Sequence, residues 1–117
     1  MKQQIVLLNN MGTISYKNRE RLVRGQLQDF NDLPEYAKEN FIKIKKFFDE
    51  YYGKSVNVYV FGSFHHGFWD EFSDYDVLIY ESNNSVNFTG LIQNALGIKV
   101  DVLIQKIKLD YYKILIP

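Results

Sequence analysis

The stretch Phe61–Tyr80, FGSFHHGFWDEFSDYDVLIY, decides how the chain is read. Gly62-Ser63 follows an apolar run, ten residues intervene, and Asp74-Tyr75-Asp76 heads a second apolar run. Val56–Phe61 and Tyr75–Tyr80 are rich in β-branched and aromatic residues, which predicts two strands. Side chains alternate along a strand, so Asp74 and Asp76 share one side about 7 Å apart while Tyr75 takes the other. Two such carboxylates suit Mg²⁺, which takes one or two of them and fills its octahedron with water and substrate phosphates. Left without a cation or a basic neighbour, they repel and at least one pKa rises. Gly62 lets backbone N–H groups approach an anion closely, Ser63 adds a hydroxyl, and a helix after them would aim its N-terminus at the same anion. Each half has a plainer reading, a turn after a strand or a solvated strand end. The combination points to a triphosphate cradle.

Outward from this stretch, Ala37, Phe41, Ile44, Phe48 and Tyr51 recur at intervals of three and four, which predicts a helix. Asp32 with Glu35 three residues on reads as a capping box with Pro34 in the first turn, and Gly53 closes the helix. Ser85–Leu96 is a second helix candidate ended by Gly97, and Ile98–Ile104 alternates as a third strand whose charged face carries Asp101. The first thirty residues are ambiguous: Ile5–Leu8 fits a short strand, while Leu22, Val23, Leu27 and Phe30 have helical spacing and predict a helix from about Tyr16 to Phe30. Helices interleaved with strands predict an α/β (α+β) fold, helices packed on a small mixed sheet. Residues 1–117 are read as one domain, with 1–31 an N-terminal extension and 56–104 the core that bears the motifs.

Composition narrows the function. The 117 residues contain 14 Lys plus Arg, 14 Asp plus Glu and no Cys. Balanced charge provides no basic field for nucleic acid, and the missing thiols remove disulfides, thiolate metal sites and a cysteine nucleophile. Nine Phe, nine Tyr and one Trp supply a core. Met1–Leu8 is too short an apolar segment for a secretory signal or a span of about 20 residues, so the expectation is a cytoplasmic protein off the membrane.

Gly62-Ser63, ten residues, then Asp74-x-Asp76 resembles the signature of the DNA polymerase β-like nucleotidyltransferase superfamily. Within it the chain is most similar to the minimal nucleotidyltransferases, including the MntA-type antitoxins that pair with helical HEPN proteins. The likeness extends to Gly90-Leu91-Ile92 and Leu96–Val102, and covers roughly 56–104. It implies a polymerase β-like palm fold in which Gly62 and Ser63 contact a nucleoside triphosphate such as ATP. It further implies that Asp74 and Asp76 ligate one or two Mg²⁺ ions, with Asp101 the third catalytic carboxylate, near the acceptor hydroxyl. Relatives often carry Arg after Gly-Ser, where this chain has Phe64-His65-His66-Gly67; His65 and His66 fit either a basic substitute or packing. Relatives also often continue beyond the third strand, and the expectation is that a partner completes the site or covers the apolar segment Lys108–Pro117.

The activity implied is transfer of AMP from ATP to a hydroxyl, with a Tyr of a HEPN-type partner as the specific acceptor. Nucleotidylation of an antibiotic-type small molecule and a catalytically silent partner-binding module are the rivals. Nucleic acid polymerisation is disfavoured because neither a basic groove nor template-holding domains are evident.

Overall fold

The structure, a computed structural model, describes residues 12–81, 86–107 and 114–117. In chain order the elements are β1 (Thr13–Tyr16), β2 (Arg19–Leu22), α1 (Glu35–Tyr52), β3 (Tyr59–Phe61), α2 (Gly62–His66), β4 (Tyr75–Tyr80), α3 (Phe88–Leu96) and β5 (Val100–Gln105). The strand proposed at Ile5–Leu8 and the helix start at Ser85 lie outside the described residues.

Of the periodic residues, Ala37, Phe41, Ile44 and Phe48 form the fully buried stripe of α1, whereas Tyr51 in the last turn is 47% exposed. Gly53 ends the helix in the left-handed conformation, with its N–H donating to the Asp49 carbonyl. The start differs from the capping-box expectation. Pro34 occupies the cap without a side-chain hydrogen bond. Asp29 instead accepts from the Asn31 N–H and caps a short 3-10 turn over Phe30–Asp32. α3 begins at Phe88 because Asn87 caps it, its side chain accepting from the Gly90 N–H.

The main sheet has the order β3-β4-β5, with β3 antiparallel and β5 parallel to the central β4. α3 makes the crossover that parallel neighbours require. α1 and α3 lie on the same face, where Phe48 meets Phe88 at 5.0 Å between ring centroids. Their apolar sides share one core with Val60, Val77, Ile79 and Val100 of the sheet. This is the mixed α+β fold in two layers. Ile114–Pro117 returns along the free edge of β3, Val60 N donating to Ile114 O and Ile116 N to Val58 O at 2.9 Å each. Ile116 is buried there against the chain's own sheet, while Leu115 stays 44% exposed.

A correction concerns the helix expected from about Tyr16 to Phe30. β1 and β2 form an antiparallel hairpin, pairing Tyr16 with Arg19. Its two-residue turn places Lys17 and Asn18 at φ 51° and 62°, the double positive φ of the I′ turns that match strand twist. The apolar spacing mistaken for a helix is interrupted by residues that serve another purpose: Arg19, Arg21 and Arg24 pin the hairpin to the segment before β4. Arg19 grips Asp70 through two hydrogen bonds of 2.8 and 3.1 Å. Buried Arg21 donates to Ser73 Oγ at 3.0 Å, and its Nε lies 3.3 Å from Asp70 at an angle that leaves the contact electrostatic, without a formal hydrogen bond. Arg24 donates to the Trp69 carbonyl and lies 3.8 Å from the Trp69 ring centroid. Backbone bonds from Arg24 N to Gly67 O and from Leu27 N to His65 O complete the seam.

The Arg19 guanidinium holds the Asp70 carboxyl below its ordinary value, so its stabilising effect is full above pH 3.8 and is lost as pH falls through the depressed pKa. Asp70→Ala leaves Arg21 buried without a carboxylate and is expected to lower stability by about 2 kcal/mol. Urea unfolding at pH 7 checks this; a change within experimental error would remove Asp70 from the account.

Candidate active site

The strand register brings the acidic residues together. Phe61 of β3, Asp76 of β4 and Asp101 of β5 are in-register neighbours across the three strands. Val60, Val77 and Val100 point into the core, so alternation turns Phe61, Asp76 and Asp101 to the opposite face. Residues 25 positions apart in sequence thus become adjacent carboxylates. The Asp76 carboxyl is raised from 3.8 to about 6, first by burial and then by the charge of Asp101 beside it.

Gly62 starts α2 directly after β3 at φ +69°, and a Cβ there would lie 1.9 Å from Asp76 Oδ2. The glycine is therefore required both by the backbone turn and by the carboxylate behind it. Gly62→Ala is expected to cost about 2 kcal/mol from strain and displacement of Asp76. Thermal unfolding checks it, and an unchanged Tm would contradict this role. Ser63 is buried at the rim of the same site, and its carbonyl accepts from Gly67 N at 2.9 Å.

A cleft of about 430 Å³ is lined by Gly62, Ser63, His66, Asp76, Asp101 and, from the hairpin, Tyr16 and Lys17, together with Phe61, Phe68, Val102 and Leu103. Four of the five site residues read from sequence line it. Asp74 does not; its Oδ2 accepts from Lys17 Nζ at 3.1 Å, and Lys99 Nζ lies 3.8 Å from Oδ1. Among the described residues no three His, Asp or Glu side chains converge as a ready-made metal shell.

The two histidines part company. His65 is buried, and desolvation lowers its pKa, which favours the neutral form and a packing role. His66 faces the cleft and stacks on Phe68 at 6.1 Å with an interplanar angle of 6°. The aromatic residues after Gly67 divide likewise: Trp69 stacks under Phe64 at 5.5 Å, Phe68 faces the cleft and Phe72 is exposed.

Sequence reading missed Tyr16 and Lys17. A Lys-Asn pair between Thr13–Tyr16 and Arg19–Leu22 is a usable hairpin signal, since Asn tolerates positive φ.

No curated protein and no solved structure gives a match to the chain. Among the described residues no helix is long and apolar enough to cross a membrane. The sequence model of the nucleotidyltransferase domain matches residues 41–116, from the buried stripe of α1 through both strands bearing Asp76 and Asp101, and the chain therefore belongs to the nucleotidyltransferase-domain family.

Proposed function

We propose that the protein is a magnesium-dependent transferase that moves AMP from ATP to a hydroxyl, with a tyrosine on a helical HEPN-type partner as the acceptor, in the manner of an antitoxin. The observation that carries this reading is the in-register pair Asp76 and Asp101 beside Gly62 and Ser63 in one cleft. Its 430 Å³ lies within the range of pockets that hold small ligands. The chain acts as one domain, in the cytoplasm, on this reading.

The donor set fits a hard cation. Two adjacent carboxylates, one of them raised to about 6 by burial and by its neighbour's charge, gain from a divalent ion that offsets their repulsion. Asp76 and Asp101 would hold Mg²⁺, with Asp74 joining once released from Lys17. When bound, the ion neutralises charge on the phosphates and polarises the reacting oxygens.

The chain's own residues supply the remaining steps. Backbone N–H groups at the start of α2 and the Ser63 hydroxyl orient the triphosphate. Asp101, the more exposed carboxylate, accepts the proton of the acceptor hydroxyl. The hydroxyl oxygen forms a bond to the α-phosphorus while the bond from that phosphorus to the bridging oxygen of pyrophosphate breaks. The products are a phosphodiester on the acceptor and free pyrophosphate.

The test is incubation with Mg²⁺ and ATP carrying label at either the α- or the γ-phosphate, in the presence of co-expressed partner protein. Label from the α position alone should become covalently attached to a polypeptide. Transfer to a small molecule would favour the antibiotic-type reading, and transfer to neither the silent module.

A further inference from the structure

The cleft is acidic on its sheet side, yet the ligand proposed for it is a polyanion. Among the described residues that line it, Lys17 is the single Lys or Arg. It comes from β1–β2, outside the segment 41–116 matched by the family. Arg19, Arg21 and Arg24 fasten the hairpin to the Trp69–Ser73 segment, so its tip is presented to the cleft. At that tip Lys17 holds a left-handed backbone conformation, and its side chain is 48% exposed.

We propose that Lys17 is a phosphate-binding residue, which exchanges the Asp74 carboxylate for a phosphate oxygen of the nucleoside triphosphate when the nucleotide enters. The inference rests on the reading of the cleft as a triphosphate site. Two features support it. The ammonium donates to the Asp74 carboxylate 3.1 Å away at the mouth of the site, so a short side-chain movement redirects it. The pairing also fits the position of Asp74, which unlike Asp76 and Asp101 does not line the cleft: Lys17 neutralises it until an anion competes for the ammonium. A lysine suits this task because it acts as a mobile point charge on a long stem.

The experiment is calorimetric titration of Mg·ATP into the wild-type protein, Lys17→Met and Lys17→Arg at pH 8, with Mn²⁺ alone as a second titrant. Lys17→Met should weaken Mg·ATP about 10-fold, and Lys17→Arg should recover most of that loss. Mn²⁺ alone should bind Lys17→Met at least as tightly as wild type, because a competing cation beside Asp74 is gone. Equal Mg·ATP affinity in wild type and Lys17→Met overturns the role of Lys17 while leaving the site reading intact. A parallel loss of Mn²⁺ affinity overturns it too, since the lysine would then be supporting the carboxylates. Absence of triphosphate binding by the wild-type protein overturns both.

Discussion

Replacing Phe41 by Ala is expected to lower the free energy of unfolding by about 3–5 kcal/mol, a large share of the roughly 5–15 kcal/mol available to a domain of ordinary stability. Phe41 is fully buried and its ring meets Phe64 at 5.3 Å and Tyr75 at 5.0 Å, both edge-on. Phe64 and Tyr75 in turn stack at 5.1 Å, and Asn40 donates to the Tyr75 hydroxyl at 2.9 Å. Phe64 follows Ser63, and Tyr75 separates Asp74 from Asp76. One ring of α1 therefore sets the spacing between the start of α2 and the acidic strand β4. The cavity left by alanine should reduce nucleotide affinity along with stability. Urea unfolding at constant m-value measures the first effect; a loss under 1 kcal/mol would mean that the aromatic cluster closes around the gap.

Asp76→Asn is expected to act in opposite directions on stability and binding. Folding raises the Asp76 carboxyl from 3.8 to about 6. Between those values the folded protein keeps a proton that the unfolded chain has released, so wild-type stability falls as pH rises through this window and stays lower above it. Asparagine carries no such cost. In the presence of a chelator the variant should be more stable than wild type at pH 8 by about 1–2 kcal/mol, after allowance for solvent screening. The difference should shrink towards zero below pH 4. Affinity for Mg·ATP should meanwhile fall on the order of 100-fold, as for loss of one member of a close charge pair. Thermal melts across pH with and without Mg·ATP separate the two effects. A variant less stable than wild type at pH 8 would contradict the crowding of Asp76 and Asp101.

Much of the fold was legible in the sequence because local pattern and tertiary packing agreed, and four of the five candidate site residues line one cleft. The spacing of Ala37, Phe41, Ile44 and Phe48 matched the buried side of α1, and Tyr75–Tyr80 was found with its limits unchanged. Strand direction was not legible; that β4 runs antiparallel to β3 and parallel to β5 depends on contacts between distant segments. This register brings Asp101 beside Asp76. The hairpin was misread because helical spacing in Leu22, Val23, Leu27 and Phe30 outweighed the turn signal of Lys17-Asn18. Its stability comes from Arg19, Arg21 and Arg24 reaching residues about 45 to 52 positions away, which no local window contains. The relation of Lys17 to Asp74 was hidden for the same reason.

The central claim is that Asp76 and Asp101 form a cation-dependent triphosphate site, and calorimetric titration of ATP with and without Mg²⁺ tests it most directly, using wild type and Asp76→Asn/Asp101→Asn at pH 8. The account predicts saturable ATP binding by the wild type that requires Mg²⁺ and is lost in the double variant. Binding of ATP with the same affinity in the double variant, or no binding by the wild type at any Mg²⁺ concentration, would contradict it.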